Sequence, residues 1–215
     1  FTEGLHRTAA ANAALIIALN PLLSSLLAAL LLGERLHGAR LLGVALGFGG
    51  VAAVVLHRPG MALGWPTVGD ALVLGSVLTW VGGSVLVQRL ARQMDALLIS
   101  TLVTSLGTLM LLTQLGLGRW LAPEGLAPLP WQALLAGWNA PLLVASGLLA
   151  TAAGAVVWNR SVLSLGVART ALYAYWVPIF GVCFAVALLG EPLSGWHAVG
   201  LAGVLGGTWL GTRRH

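Results

Sequence analysis

Long apolar runs separated by short polar breaks organise this chain from end to end. Reading the runs against their breakers places seven candidate membrane spans at about Ala9–Leu32, Leu41–Leu56, Gly69–Leu90, Leu97–Leu117, Ala140–Trp158, Ala168–Leu189 and His197–Thr212. A helix needs roughly 17–25 apolar residues to cross a hydrocarbon core of about 30 Å, so most of these are long enough, while the second and last are short. The connectors are brief except for Gly118–Asn139. Its Pro123, Pro128 and Pro130 with Trp120, Trp131 and Trp138 read as an interfacial loop with a dipping segment, or as a substrate lid.

Composition turns that pattern into a class. Of 215 residues, 58% are hydrophobic and 8% charged, with a mean hydropathy of +0.93. Soluble domains carry about 25% charged residues, so no water-facing surface can be built from this chain. The expectation is an all-α polytopic membrane protein whose first partner is the lipid bilayer. The formal net charge of +5 comes entirely from arginines scattered between the runs. That scatter suits membrane orientation and offers no basic stripe for nucleic acid. Placing Arg213 and Arg214 inside puts Arg35, Arg40, Arg89, Arg92, Arg160 and Arg169 on the same side, leaving Arg7, Arg58 and Arg119 outside. Eight against three predicts a multi-pass protein of the cytoplasmic (inner) membrane with a cytoplasmic C-terminus. Cys183 is the only cysteine, so no intrachain disulfide forms, and its apolar setting reads as a buried structural thiol.

An internal repeat carries the architecture. A shift of 157 residues lays Pro21 on Pro178, Gly33 and Glu34 on Gly190 and Glu191, Leu36 on Leu193, Gly38 on Gly195, Gly43 on Gly200, and Gly49 and Gly50 on Gly206 and Gly207. Each copy is a helix with an internal proline, a Gly-Glu end, a short turn and a glycine-rich helix. On the arginine topology the two proline helices run in opposite directions, which is the inverted-repeat layout of many secondary transporters. Three spans precede the second proline helix and none precedes the first. By symmetry Phe1 corresponds to Trp158, and about three helices are expected ahead of it.

Two segments carry a family resemblance. The first is Ala13–Val51, with Leu19-Asn20-Pro21, Leu32-Gly33-Glu34-Arg35-Leu36 and Leu42-Gly43; the second runs from Tyr175-Trp176-Val177-Pro178 through Gly190-Glu191-Pro192-Leu193 to Val199-Gly200. Together they resemble the EamA family of the drug/metabolite transporter superfamily. Leu78-Thr79-Trp80 with Gln88-Arg89 is similar to the helix that opens a repeat in that family. The resemblance implies two inverted five-helix repeats, ten helices in all, and mostly metabolite export. It makes this chain equivalent to helices four to ten. Residues 1–57 would then be the last two helices of the first repeat, and residues 58–215 the whole second repeat.

Candidate chemistry is sparse and polar rather than charged. Pro21 and Pro178 each remove a backbone hydrogen bond inside a helix and free a carbonyl one turn earlier, which suits a cavity wall, a gate or a packing kink. Ser76, Trp80 and Ser84 share a helical face, and Tyr173 with Trp176 makes a second polar-edged aromatic face. With Asn20, Ser24 and Trp158 they are the candidate cavity residues, the alternative being ordinary packing. Glu34 and Glu191 invite proton coupling, but at helix ends beside Gly33 and Gly190 they read as structural carboxylates fixing a tight turn. Arg160 and Arg169 could draw an anionic group to the inner mouth, although orientation alone explains them. Gly203, Gly207 and Gly211, with Gly43 and Gly47, form small-residue ridges for close approach within the fold or in a homodimer.

Three function classes follow. The first is a secondary transporter exporting a small metabolite, an amino acid or a hydrophobic or aromatic compound, by alternating access and without cofactor or ATP. The second is a non-transporting membrane fragment or assembly subunit. The remotest is an intramembrane enzyme, since His6, His37, His57, His197 and His215 sit near span ends and no catalytic pair or metal-ligand set is visible.

Overall fold

The computed structural model describes residues 1–57, 60, 62–90, 93–121, 131–190 and 194–213, and every regular element among them is helical. In chain order these are α1 (Thr2–His6), α2 (Ala10–Ala18), α3 (Asn20–Leu32), α4 (Gly38–Leu56), α5 (Val68–Leu90), α6 (Ala96–Leu121), α7 (Trp131–Leu135) and α8 (Asn139–Ser146). A π-helical stretch, Gly147–Ala153, leads into α9 (Gly154–Leu165); α10 (Val167–Leu172), a 3-10 turn at Tyr173–Tyr175, α11 (Trp176–Leu189) and α12 (Gly195–Thr212) complete the chain.

Among the described residues six stretches are long and apolar enough to cross a membrane, and they match the first six spans expected. The seventh is present as α12, an 18-residue helix whose glycines, tryptophans and His197 dilute its apolar character. Three boundaries move, the fifth span running on to Leu165 rather than ending at Trp158. The second span begins at Gly38 rather than near Leu41, and α6 runs to Leu121, taking Gly118 and Trp120 out of the expected loop. Isolated glycines in an apolar run do not end a helix; a proline does. Pro123, Pro128 and Pro130 lie outside the described residues, as do Arg58, Arg92, Glu191 and Arg214.

The chain divides into two compact units, Phe1–Arg89 with Ser164–His215, and Leu90–Leu163. In the second unit the Nδ2 of buried Asn159 donates to Ser100 Oγ at 2.8 Å, and Ser100 donates in turn to the Ala96 carbonyl at 2.6 Å. A membrane-depth amide is thereby satisfied inside the protein rather than left to lipid. α8 and the π-helical stretch bury none of their residues.

The first unit is built on the pairing of α4 with α12. Lipid tails are as apolar as leucine, so helices in a bilayer associate through close van der Waals contact, which small residues permit. A Cβ on Gly43 would stand 2.6 Å from the Gly207 carbonyl oxygen, and one on Gly207 would stand 2.5 Å from that of Gly43. Farther along, a Cβ on Gly50 would lie 2.8 Å from the Gly200 oxygen, and one on Gly200 3.0 Å from that of Gly50. The pairing is therefore antiparallel. It is also two-fold: the 157-residue shift turns the Gly43–Gly207 contact into the Gly200–Gly50 contact. Near the centre the Leu46 carbonyl meets Gly203, two positions that exchange under the same shift. The ridges noted in the sequence thus meet each other inside one chain. The symmetry breaks at Tyr175, whose ring fills the notch over Gly47 and whose hydroxyl donates to the Val44 carbonyl at 3.2 Å.

Replacing Gly207 by Ala should lower stability by about 1–3 kcal/mol, because the new methyl meets backbone that cannot step aside. Gly206, one residue away, has open space beside its Cα. Gly206→Ala should stay within about 0.5 kcal/mol of the parent in detergent thermal unfolding, and equal losses at both positions would contradict the close approach.

Candidate substrate site

Both proline helices are broken just before their prolines. Pro21 has no N–H to give and its ring crowds the carbonyl four residues back, so α2 stops at Ala18 and α3 restarts at Asn20. The Leu19 N–H turns instead to the Ile16 carbonyl at 3.1 Å. Before Pro178 the same conflict is absorbed by the 3-10 turn at Tyr173–Tyr175. Each helix then ends at a glycine in the left-handed region, Gly33 at φ 70° and Gly190 at φ 68°, a conformation costing an L-residue about 1–2 kcal/mol.

The buried stripe of α3, Pro21, Ser24, Ser25 and Ala28, follows i, i+3, i+4, i+7 spacing and packs against α10, which buries Val167, Ala168, Thr170, Ala171 and Leu172. α10 starts where α3 ends, because the Val167 N–H donates at 2.6 Å to Gln88 Oε1 while Gln88 Nε2 donates at 2.9 Å to Glu34 Oε1. The other oxygen of Glu34 takes Arg40 Nη1 at 3.1 Å. Arg89 Nη2 donates to the Leu31 carbonyl.

A second polar tie lies at the opposite end of α5. Asp70 accepts from the Thr8 hydroxyl, from the Thr67 N–H at 2.6 Å and from Asn12 Nδ2 at 3.4 Å. Asn12 also exchanges two 3.1 Å bonds with the backbone of Gly64. With Asp70 beside the start of α2 and Gln88 beside the end of α3, α5 runs parallel to the broken helix. Trp80, midway between the ties, lies at the depth of the Pro21 break.

That face of α5 is uneven. At 100° per residue Trp80 shares the direction of Val73, Val77 and Ser84, all buried, yet Trp80 is 55% exposed. Tyr173 behaves likewise, 47% exposed beside buried Leu172 and Tyr175. Trp176 packs instead on the cluster of Val44, Val51 and Tyr175, with its ring 6.0 Å from that of Phe180 and its buried Nε1 lacking an acceptor among the described residues. Ser24 is buried and donates to Asn20 Oδ1 at 3.0 Å, and Ser76 donates to the Val73 carbonyl at 2.7 Å. Trp158 belongs to the other unit, and Glu191 falls outside the described residues. A clear crevice of about 390 Å³ lies elsewhere, walled by Val51, Val54, Ile179, Val182 and Leu201 with Pro178 at its edge. Cys183 lines it and is exposed, correcting the expected buried thiol; α11 packs too loosely to bury any described residue.

Residues 1–56 and 67–213 match the EamA-like transporter family. The chain belongs to that family. Among the EamA chain's curated relatives are the "Uncharacterized transporter YvbV" of Bacillus subtilis (strain 168), 28% identical over 90% of this chain and 60% of that protein, and YyaM of the same strain, 25% identical over 93% and 63%. The "Probable terminal-alkyne amino-acid exporter" of Streptantibioticus cattleyicolor is 31% identical over 91% of this chain and 63% of its own length. The chain therefore spans about three-fifths of the length of these relatives. A solved crystal structure shares the fold, with a TM-score of 0.78 at 23% identity over 97% of this chain and 69% of the other.

Sequence reasoning about this EamA chain missed the Asp70 tie, because Thr8 and Asn12 lie far from Asp70 in the sequence and only the fold gathers them. It noticed Gln88 only as part of a motif, although an amide whose two ends reach two other helices can lock three elements together. It favoured Tyr173 over Tyr175; the Gly47 notch that accepts Tyr175 was the available signal. Gln88→Leu should leave Glu34 Oε1 and the Val167 N–H without their partner, lowering stability by about 1–3 kcal/mol in thermal unfolding. A Leu variant as stable as the parent would show that the tie holds nothing.

Proposed function

We propose that this chain forms the moving core of a secondary transporter that exports a small metabolite, an amino acid or a hydrophobic or aromatic compound, across the cytoplasmic membrane by alternating access. One observation carries the reading. Under the 157-residue shift the packing of α2 on α4 answers that of α10 on α12, and α3 on α4 answers α11 on α12. The close pair α3 and α10 has no such answer, because α2 and α11 make no comparable contact. Two-fold-related halves that are closed at one end and apart at the other are what a gate caught in one of its two positions requires.

Arginines orient the gate. In this unit Arg35, Arg40, Arg89, Arg169 and Arg213 belong to the closed end, with Arg7 at the other. The positive-inside rule makes the closed end cytoplasmic, with the C-terminus there and the parted helices facing out. The same symmetry supports residues 1–57 and 58–215 as parts of two inverted repeats. Glu34, with one oxygen on Arg40 and the other on Gln88, acts in this reading as a structural tie and not as a proton carrier. The relative named as an amino-acid exporter supports an amino acid as cargo.

The protein as its gene encodes it, reconstituted in proteoliposomes loaded with labelled amino acids and aromatic metabolites, should release at least one down its gradient. Pro21→Ala should fuse α2 and α3, leave thermal stability intact and slow that release by about tenfold, equivalent to ~1.4 kcal/mol on the barrier. Trp80→Ala should raise the KM. Release of none of the panel, or wild-type kinetics in both variants at equal protein levels, would remove the reading.

A further inference from the structure

Among the described residues, the closed end holds more positive charge than its carboxylates balance. His37, Arg40, Arg169 and Arg213 line one shallow crevice together with Leu210 and Gly211. They come from three places in the fold: the turn into α4, the first turns of α10, and the end of α12. The only ion pair there among the described residues is Arg40 with Glu34, and both oxygens of Glu34 are occupied, one by Arg40 and one by Gln88. Arg169 has no carboxylate partner, and its Nε is buried without any acceptor among the described residues. The rest of its guanidinium can face the crevice it lines, and an oxyanion is the group that suits an arginine with no carboxylate beside it.

Two further features shape the ligand. The N-terminus of α4, 19 residues long, opens at His37 and presents the first-turn amides of Gly38 and Ala39, so its dipole adds to the arginine field. Arg213 lies flat on the Trp209 ring, 3.4 Å from its centroid, and Trp209 is an exposed aromatic near the end of α12. Tryptophan at a helix end marks headgroup depth, and basic crevices between helices at that depth take lipid phosphates.

We propose that this crevice binds the phosphate of an anionic phospholipid of the adjoining leaflet, with Arg169 and Arg213 as its principal donors. The lipid would pin α10 to the α4 and α12 ends and favour the closed α3–α10 arrangement. A free phosphate offers the same oxygens but lacks the acyl chains that hold it at headgroup depth beside Trp209.

Native mass spectrometry of the full chain released from phosphatidylcholine nanodiscs doped with phosphatidylglycerol tests this. Phosphatidylglycerol should be retained in preference to phosphatidylcholine. Arg169→Gln and Arg213→Gln should each reduce that preference by about fivefold, the effect of one basic residue near an anionic surface. Arg119→Gln, in the other unit, should leave it unchanged, and Arg169→Lys should keep most of it. Arg213 is exposed at a helix end, so its variant reports even if Arg169→Gln fails to fold. Excess inorganic phosphate should not displace the lipid. Equal retention of the two lipids, an unchanged preference in Arg213→Gln, or displacement by phosphate alone would each overturn the proposal.

Discussion

Everything in the larger unit hangs on the distance between two backbones. α4 and α12 touch through glycine, with carbonyl oxygens standing where a side chain would have to be. In a bilayer no hydrophobic force presses such helices together, so their contact depends on shape, and shape here means missing side chains. The seam sets where α2 and α10 dock on its two faces, and through them where the two proline breaks fall.

A rigid seam also explains why asymmetry can be concentrated elsewhere. The contacts made by α4 and α12 are repeated almost pair for pair under the internal shift, while those between the broken helices are not. Polar ties reinforce the division. Gln88 and Glu34 bind α3, α5 and α10 at one end, whereas Asp70 binds α5 only to the start of α2 and its flanking turn. Glu34, Gln88 and Val167 of the first tie come from distant parts of the chain, and none of their bonds joins α11. α11, the loosely held helix, has no side-chain polar anchor to another helix among the described residues.

The fold was legible because its strongest signals are local. Apolar run length located six spans, and prolines and glycines at matched positions revealed the repeat before any contact was known. Span interiors were harder to read. A proline says that a helix is disturbed, but whether it yields a one-residue break, as at Leu19, or a 3-10 turn, as at Tyr173–Tyr175, depends on neighbours. The candidate site was legible only as residue types. Exposure separates Trp80 and Tyr173 from Trp176, and no periodicity distinguishes an exposed ring from one packed on Val44 and Tyr175. Cys183 was misjudged for the same reason: hydropathy cannot tell a buried thiol from one exposed in a crevice wall.

The seam has a consequence for the protein's birth. Gly43 and its counterpart Gly200 are 157 residues apart, and all of the second unit is encoded between them. At a synthesis rate of roughly 5–20 residues per second, α4 waits on the order of 10–30 s in the membrane before α12 leaves the ribosome. For that interval its glycine ridge lacks its α12 partner, and the smaller unit is made before the seam can close. The helix that closes the seam is thus translated long after the one it closes on.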